Sequence, residues 1–281
     1  MKKSELPTLA ELRAAIDAID EQMHGLLRQR ADIVHNVRRV KGKQAIFIRP
    51  GREASMVRAL LKRPAGRIPP GLLMRLWREM IGAFTMQEGA LRVAVTAGKG
   101  ALDLWDISRD FYGSVTPLQP CLTPASALKC VRAGAAEVAV LPLPQMREPR
   151  PWWQALTTTS ELQVFAQLPF DLRDTARANW RGNRQGAWAV ARLAPEPTGD
   201  DHGLLLVWGF APHQAKQIRA ALDRLKPLAI HEDKRRRCLL VTVDGLLAPE
   251  QRRLQRLELQ LAALNVHWRI AGGYAVPIGM A

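Results

Sequence analysis

The chain is poor in cysteine, has no long apolar run, and carries far fewer acidic than basic residues. Its three cysteines, Cys121, Cys130 and Cys238, lie far apart in the sequence and show no paired spacing. Scattered thiols fit a reducing compartment and argue against a disulfide framework or a cysteine-ligated zinc site. No apolar stretch approaches the ~20 residues needed to cross a bilayer. The opening MKKSELPTLAEL has two lysines but no apolar stretch behind them, so no secretory signal is expected. The expected location is the cytoplasm, with no membrane partner. What is abundant is positive charge: 41 Lys and Arg against 26 Asp and Glu, a net of +15. Such a balance arises either from an arginine-rich composition alone or from an anionic partner, nucleic acid or a small polycarboxylate. Only the positions of the cations can choose among these.

With 281 residues, 47% of them hydrophobic, the chain is long enough for two domains or three small ones. It opens on a long helical pattern. Leu12, Ile16, Ile19, Met23, Leu26, Leu27, Ile33, Val34, Val37 and Val40 recur at steps of three and four. Thr8 followed by Glu11 reads as a capping box. A helix over 8–41 would be roughly 50 Å long, which suits a coiled-coil-like pairing or an intertwined dimer better than a compact monomer. Gly42 and Arg49-Pro50-Gly51 interrupt it. A second helix is expected over 52–62 and a third over about 71–89.

Near residue 91 the pattern changes to β–α–β alternation, with strands at 91–98 and 137–144 around a helix at 124–133. Strand-like runs follow at 161–168 and 187–193, and PEPTGDDHG (195–203) reads as a linker. The last segment predicts strand 204–209, helix 213–225, strands 227–233 and 236–245, helix 249–265 and strand 266–278. That βαββαβ order is ferredoxin-like. The fold class expected is therefore multidomain. An all-α domain of three helices (1–90), forming an intertwined dimer, precedes an α/β region (91–203) and a ferredoxin-like α+β region (204–281).

On the first helix, Arg30 and Lys41 are 11 positions apart. They share a face at roughly 16 Å separation, and that face also carries Met23, Leu26, Val34 and Val37. A cation in an apolar stripe either snorkels to water or meets an anionic partner. Two such side chains can clamp a small dianion from both ends. Arg13 lies about 100° off that face and reaches the same ligand only from the second chain of a dimer. The N-terminal segment offers no nucleophile–base motif, phosphate loop or zinc spacing, so neither metal nor cofactor is expected.

LRAAIDAIDEQMHGLLRQRADIVHNVRRVKG (12–42) resembles the first helix of the all-helical chorismate mutase family. GREASMVRAL (51–60) resembles its second helix and LMRLWREMIGAFTMQE (73–88) its third. The resemblance implies an isomerase that rearranges chorismate to prephenate in aromatic amino-acid biosynthesis. It implies that Arg13 of the partner chain and Arg30 bind the two carboxylates. Lys41 would hydrogen-bond the ether oxygen and a carboxylate, Glu53 would accept from the substrate hydroxyl, and Arg52 would support it. The second donor to the ether oxygen is Glu88 or the adjacent Gln87. A donating Glu88 must carry its proton, so turnover would then fall with rising pH. Arg49 stands where some members have an aspartate.

Residues 91–144 resemble the opening of a prephenate dehydratase, which is often fused to this mutase. The family's Gly-Pro-x-Gly-Thr loop is replaced by Ala97-Gly98-Lys99-Gly100. Leu143, Pro144 and Gln145 follow Pro142 where Glu-Asn-Ser is expected, and Ala187-Trp188-Ala189-Val190 stands near the place of Thr-Arg-Phe. The region is also too short for two lobes. The tail resembles an ACT domain, with HEDKRRR (231–237) in place of its effector motif. A structural or dimerising remnant and an aromatic amino-acid effector site are both open. The contrasting functional reading is a non-catalytic basic regulator on a mutase scaffold, binding an aromatic metabolite or nucleic acid. The tryptophans, including Trp152, Trp153, Trp180, Trp188, Trp208 and Trp268, read as packing residues rather than base-stacking platforms.

Overall fold

Thr8 starts the first helix, α1 (Leu9–Lys41), by the expected capping box. Its hydroxyl accepts from the Glu11 N–H at 3.3 Å, and the Glu11 carboxylate accepts from the Thr8 N–H at 2.8 Å. Gly42, at φ +66°, ends the helix in the left-handed region. α2 (Pro50–Leu61) and α3 (Pro70–Glu88) each begin on a proline, whose missing N–H costs nothing in the first turn. In this computed structural model the described residues are 6–42, 47–98, 102–146, 148, 151–172, 186–222, 226–232, 237–248 and 251–279. Among them no helix is long and apolar enough to cross a membrane.

α1 leans on α3 only through its C-terminal half. Arg30 stacks on Phe84, and Arg38 Nη1 donates to the Gln87 carbonyl at 3.0 Å. Residues 6–24 are exposed throughout. Leu12, Ile16, Ile19, Met23, Leu26, Ile33 and Val40 therefore face solvent, Ile16 at 57% and Leu26 at 63%. Their spacing alternates four and three, and Arg30 and Val37 complete the series. That is a heptad seam with no partner in the described chain.

The rest of the chain builds one nine-stranded sheet, ordered β2-β1-β3-β5-β4-β9-β6-β8-β7. Its elements are β1 (Val93–Thr96), α4 (Leu102–Tyr112), β2 (Leu118–Cys121), α5 (Pro124–Arg132), β3 (Val138–Pro142), β4 (Gln163–Leu168) and β5 (Ala187–Ala191). β6 (Asp201–Trp208), α6 (Ala215–Ala221), β7 (Lys226–Glu232), β8 (Arg237–Asp244), α7 (Arg252–Ala263) and β9 (His267–Ala275) follow. β1 pairs in parallel with both β2 and β3, and every residue of β1 is buried. A strand covered on both faces reads as a continuous apolar run, which is why VAVT was visible as a strand. One face carries α5 and Trp152, Trp153 and Trp188; the other carries α4 together with Ile48 and Leu91. The expected packing role of these tryptophans is met; Trp180 lies outside the described residues.

The order β9-β6-β8-β7 is the ferredoxin-like arrangement predicted for the tail. Its sheet continues into the first through one parallel contact, Val164 to Gly272. Gly272 has φ +115°, and a Cβ there would overlap the Val164 carbonyl oxygen. Only glycine permits that joint.

Two elements depart from the sequence expectations. α4 and β2 fill 102–121, where none was predicted. β2 is an edge strand of four residues containing Pro120, with its two central residues exposed, so it lacks an apolar signature. Residues 195–200, expected as linker, instead bind α2. The Glu196 carboxylate accepts from Arg49 and from the Arg52 N–H (3.3 Å). Arg58 donates to the Thr198 hydroxyl at 2.7 Å and to the Asp200 and Val276 carbonyls at 2.8 and 2.6 Å. α2 has no side-chain cap of its own, and Glu196 supplies an anion at its N-terminus.

Candidate active site

Arg30 is the cation in the α1 seam, between Leu26 and Ile33. Its guanidinium lies 4.3 Å from the centroid of the Phe84 ring. Nη1 is buried and has no hydrogen-bond partner among the described residues. Burial pulls the Arg30 pKa below the usual guanidinium value. A half-buried guanidinium with a free N–H edge is costly unless an anion fills it, and the planar fork suits a carboxylate.

The other expected site residues are spread around this point. Lys41 is the last residue of α1; its side chain lies outside the described residues. Arg13 is exposed near the opposite end of α1, 17 positions from Arg30. That is about 25 Å along the axis, so one chain does not bring the two together. Gln87 is exposed and engaged through its carbonyl by Arg38, whereas Glu88 is half-buried at the end of α3. Arg52 is exposed and held by its backbone to Glu196.

Glu53 points elsewhere. It accepts from Arg78 Nη1 at 3.0 Å, and the two side chains are 14% and 4% exposed. Arg78 packs its guanidinium 3.9 Å from the Phe111 ring centroid. Burial pushes the Glu53 carboxyl above the usual carboxylate range, against the pull of Arg78. Burial likewise lowers Arg78, against the pull of Glu53. Beside the pair, Tyr112 has a buried hydroxyl with no partner among the described residues, and burial raises its pKa. The cavity between them is lined by Ile48, Glu53, Ile81, Gly82, Thr85, Leu91, Phe111 and Tyr112. Its volume of about 10 Å³ holds roughly one water and no organic substrate. A Cβ on Gly82 would overlap the Tyr112 carbonyl oxygen, so glycine sets how closely α3 approaches α4. Arg78, Ile81, Gly82 and Thr85 share one face of α3, and Phe84 lies about 100° further round. Arg30 and Glu53 therefore address different faces of α3.

Sequence reasoning missed Phe84 and Arg78. The signal for Arg78 was the one used for Arg30, a cation within an apolar stripe, here Met74, Arg78, Ile81 and Thr85. In the sheet region, β1 ends at Thr96 and runs into Ala97-Gly98, and β3 ends at Pro142 and runs into Leu143-Pro144-Gln145; residues 99–100 and 233–236 lie outside the described residues. Among the described residues no cluster of His, Cys, Asp or Glu is arranged to hold a metal ion.

Residues 12–89 match the family Chorismate mutase type II. The matched segment spans α1, α2 and α3 and contains Arg13, Arg30, Lys41, Arg52, Glu53, Gln87 and Glu88. A bifunctional chorismate mutase/prephenate dehydratase from Stutzerimonas stutzeri is 30% identical over 151 residues, covering 52% of this chain and 41% of that protein. The chain thus spans about two fifths of the length of the curated relatives it matches. Among solved structures, one described as GqqA, a novel type of quorum quenching acylases, is 20% identical with a TM-score of 0.49. It covers 66% of this chain and 95% of its own length. A prephenate dehydratase from Streptococcus mutans is 11% identical with a TM-score of 0.46, covering 66% of this chain and 99% of its own length.

Proposed function

We propose that the chain is a homodimeric chorismate mutase whose C-terminal region is non-catalytic. The observation that carries this reading is Arg30: a half-buried cation in an apolar helix seam, stacked on Phe84, with an unfilled N–H edge. The rearrangement of chorismate is intramolecular and pericyclic, so it needs no nucleophile. It needs the diaxial conformer held in place and donors for the charge that builds on the ether oxygen. Arg30 grips one carboxylate of the substrate, and Arg13 from the second chain grips the other. Lys41 and Glu88 donate to the ether oxygen; Glu88 is preferred to Gln87 because it is the half-buried one. The family resemblance gives Arg52 and Glu53 the hydroxyl side, although Glu53 addresses a different face of α3 from Arg30 and is paired with Arg78. The ion pair with Arg78 competes with the substrate hydroxyl for the Glu53 carboxylate.

The exposed seam of α1 supports the dimer. A helix of 33 residues whose first sixteen expose every side chain has its apolar seam satisfied by a second copy of itself. That copy also brings Arg13 to Arg30. Analytical ultracentrifugation is expected to show two chains per particle. Ile16→Asp with Ile19→Asp is expected to give monomers with no turnover. A monomeric parent that still turns over chorismate would refute the shared site.

The non-catalytic reading of the remainder rests on the strand ends. After β1 and β3 come Ala97, Gly98, Leu143, Pro144 and Gln145, none with an acid or a hydroxyl in its side chain; Thr96, the last residue of β1, has a hydroxyl, but it is buried. The deciding experiment is direct. The full chain is incubated with chorismate, and both chorismate and prephenate are followed. Prephenate should accumulate without conversion to phenylpyruvate. No turnover of chorismate would overturn the mutase reading, and steeply salt-dependent DNA binding in its place would favour the regulator.

A further inference from the structure

Cys121 is the last residue of β2 and Cys130 lies in the second half of α5. Their sulfurs are 3.8 Å apart. The geometry that brings them together is built rather than accidental. Thr123 and Ser126 form a capping box that starts α5 two residues after the strand ends, with N–H to hydroxyl distances of 3.1 Å in both directions. The Cys121 carbonyl accepts from the Ala97 N–H at 2.7 Å, which fixes the strand end against β1. Cys121 is buried and Cys130 half-exposed. A disulfide needs about 2.05 Å between sulfurs, so the two side chains must turn toward each other from the 3.8 Å seen here.

We propose that Cys121 and Cys130 form a redox site, in which a peroxide oxidises Cys130 and Cys121 closes a disulfide that ties the edge strand β2 to α5. The half-exposed Cys130 thiolate attacks hydrogen peroxide. An S–O bond forms, the O–O bond breaks, and hydroxide leaves. The Cys121 thiolate then attacks the sulfenic sulfur, forming the S–S bond as the S–O bond breaks. The departing oxygen takes up protons and leaves as water. Two thiols and one peroxide give one disulfide and two waters, the sulfur pair having lost two electrons. Cys121 is buried and Cys130 is not, so peroxide meets Cys130 first and Cys121 acts as the resolving partner. Cys238 serves as an internal reference, since it is buried and its thiol is pushed up to about 12. β2 is an edge strand paired with β1, so the bond would add a covalent tie to a sheet edge.

The test uses the whole folded chain. Hydrogen peroxide is added, remaining thiols are blocked with iodoacetamide, and the chain is cut with trypsin. Cleavage after Arg109, Lys129 and Arg132 places the two cysteines on separate peptides, 110–129 and 130–132. The expected result is a linked 110–129/130–132 species that is lost on adding dithiothreitol, with Cys238 still alkylated after unfolding. In Cys121→Ser, Cys130 should instead be trapped as sulfenic acid by dimedone. The proposal is overturned by any of three outcomes. These are both cysteines still open to alkylation, Cys130 carried to sulfinic acid in the parent with no link formed, and a link that joins different chains or Cys238.

Discussion

Arg30→Ala is expected to lower kcat/KM for chorismate by roughly 10²–10³-fold, the scale seen when one preorganised donor to a charged reacting group is removed. The fold should barely notice. Nη1 has no partner among the described residues, and the contact with Phe84 is a cation–π pair on a half-exposed helix. Such pairs contribute about 0.5–1 kcal/mol, and burial of the charge offsets part of that. Circular dichroism, thermal melting and dimer mass should therefore match the parent while turnover collapses. Arg30→Lys keeps the charge but loses the planar fork, so it should recover only part of the rate. The decisive comparison is between the two measurements. A variant that melts early and loses activity in proportion would make Arg30 a structural cation. A variant that keeps full turnover would remove it from the site altogether.

What made Arg30 visible in advance was periodicity. A heptad seam leaves a signature in any alignment-free reading, because apolar residues at alternating steps of four and three have one structural meaning. The capping box at Thr8 and Glu11 and the prolines opening α2 and α3 are local signals of the same kind. The ferredoxin-like order of the tail was legible because its strands are apolar runs separated by polar or glycine-containing breaks. What stayed hidden depends on contacts between distant residues. Nothing near Gly272 in the sequence says that its neighbour across the sheet is Val164, or that two sheets become one there. Pro120 disguised β2 as a loop. Residues 195–200 have the composition of a linker, yet Glu196 and Thr198 are bound by Arg49, just before α2, and Arg58 within it. Glu53 shows the limit at the site itself. Its place in the motif implied a face toward substrate, but the acceptor is taken by Arg78, 25 positions later.

That pair carries the second large effect. Arg78→Met is expected to destabilise the fold by about 3–5 kcal/mol, because it leaves the Glu53 carboxylate buried without its counter-charge. Phe111 and Phe170 would still be covered by the methionine, so lost packing is a minor part. The pH dependence separates the two causes. The Glu53 carboxyl is already raised by burial, and losing Arg78 raises it further. A carboxyl whose folded pKa exceeds its unfolded one stabilises the fold below the unfolded value, about 4.3. That contribution is lost as pH rises through the folded pKa. The deficit of Arg78→Met should therefore be smallest in acid and grow toward neutrality, as read by urea unfolding at pH 5 and pH 8. Adding Glu53→Gln should restore more than half of the lost stability, since no buried charge then remains. An Arg78→Met protein within about 1 kcal/mol of the parent at both pH values would show that the pair is solvated rather than buried. The double variant also decides what Glu53 does for the reaction. It keeps the α2–α3 packing while removing the carboxylate. Turnover at the parent rate would confine Glu53 to holding the helices on the sheet, and a loss with unchanged stability would place it on the substrate.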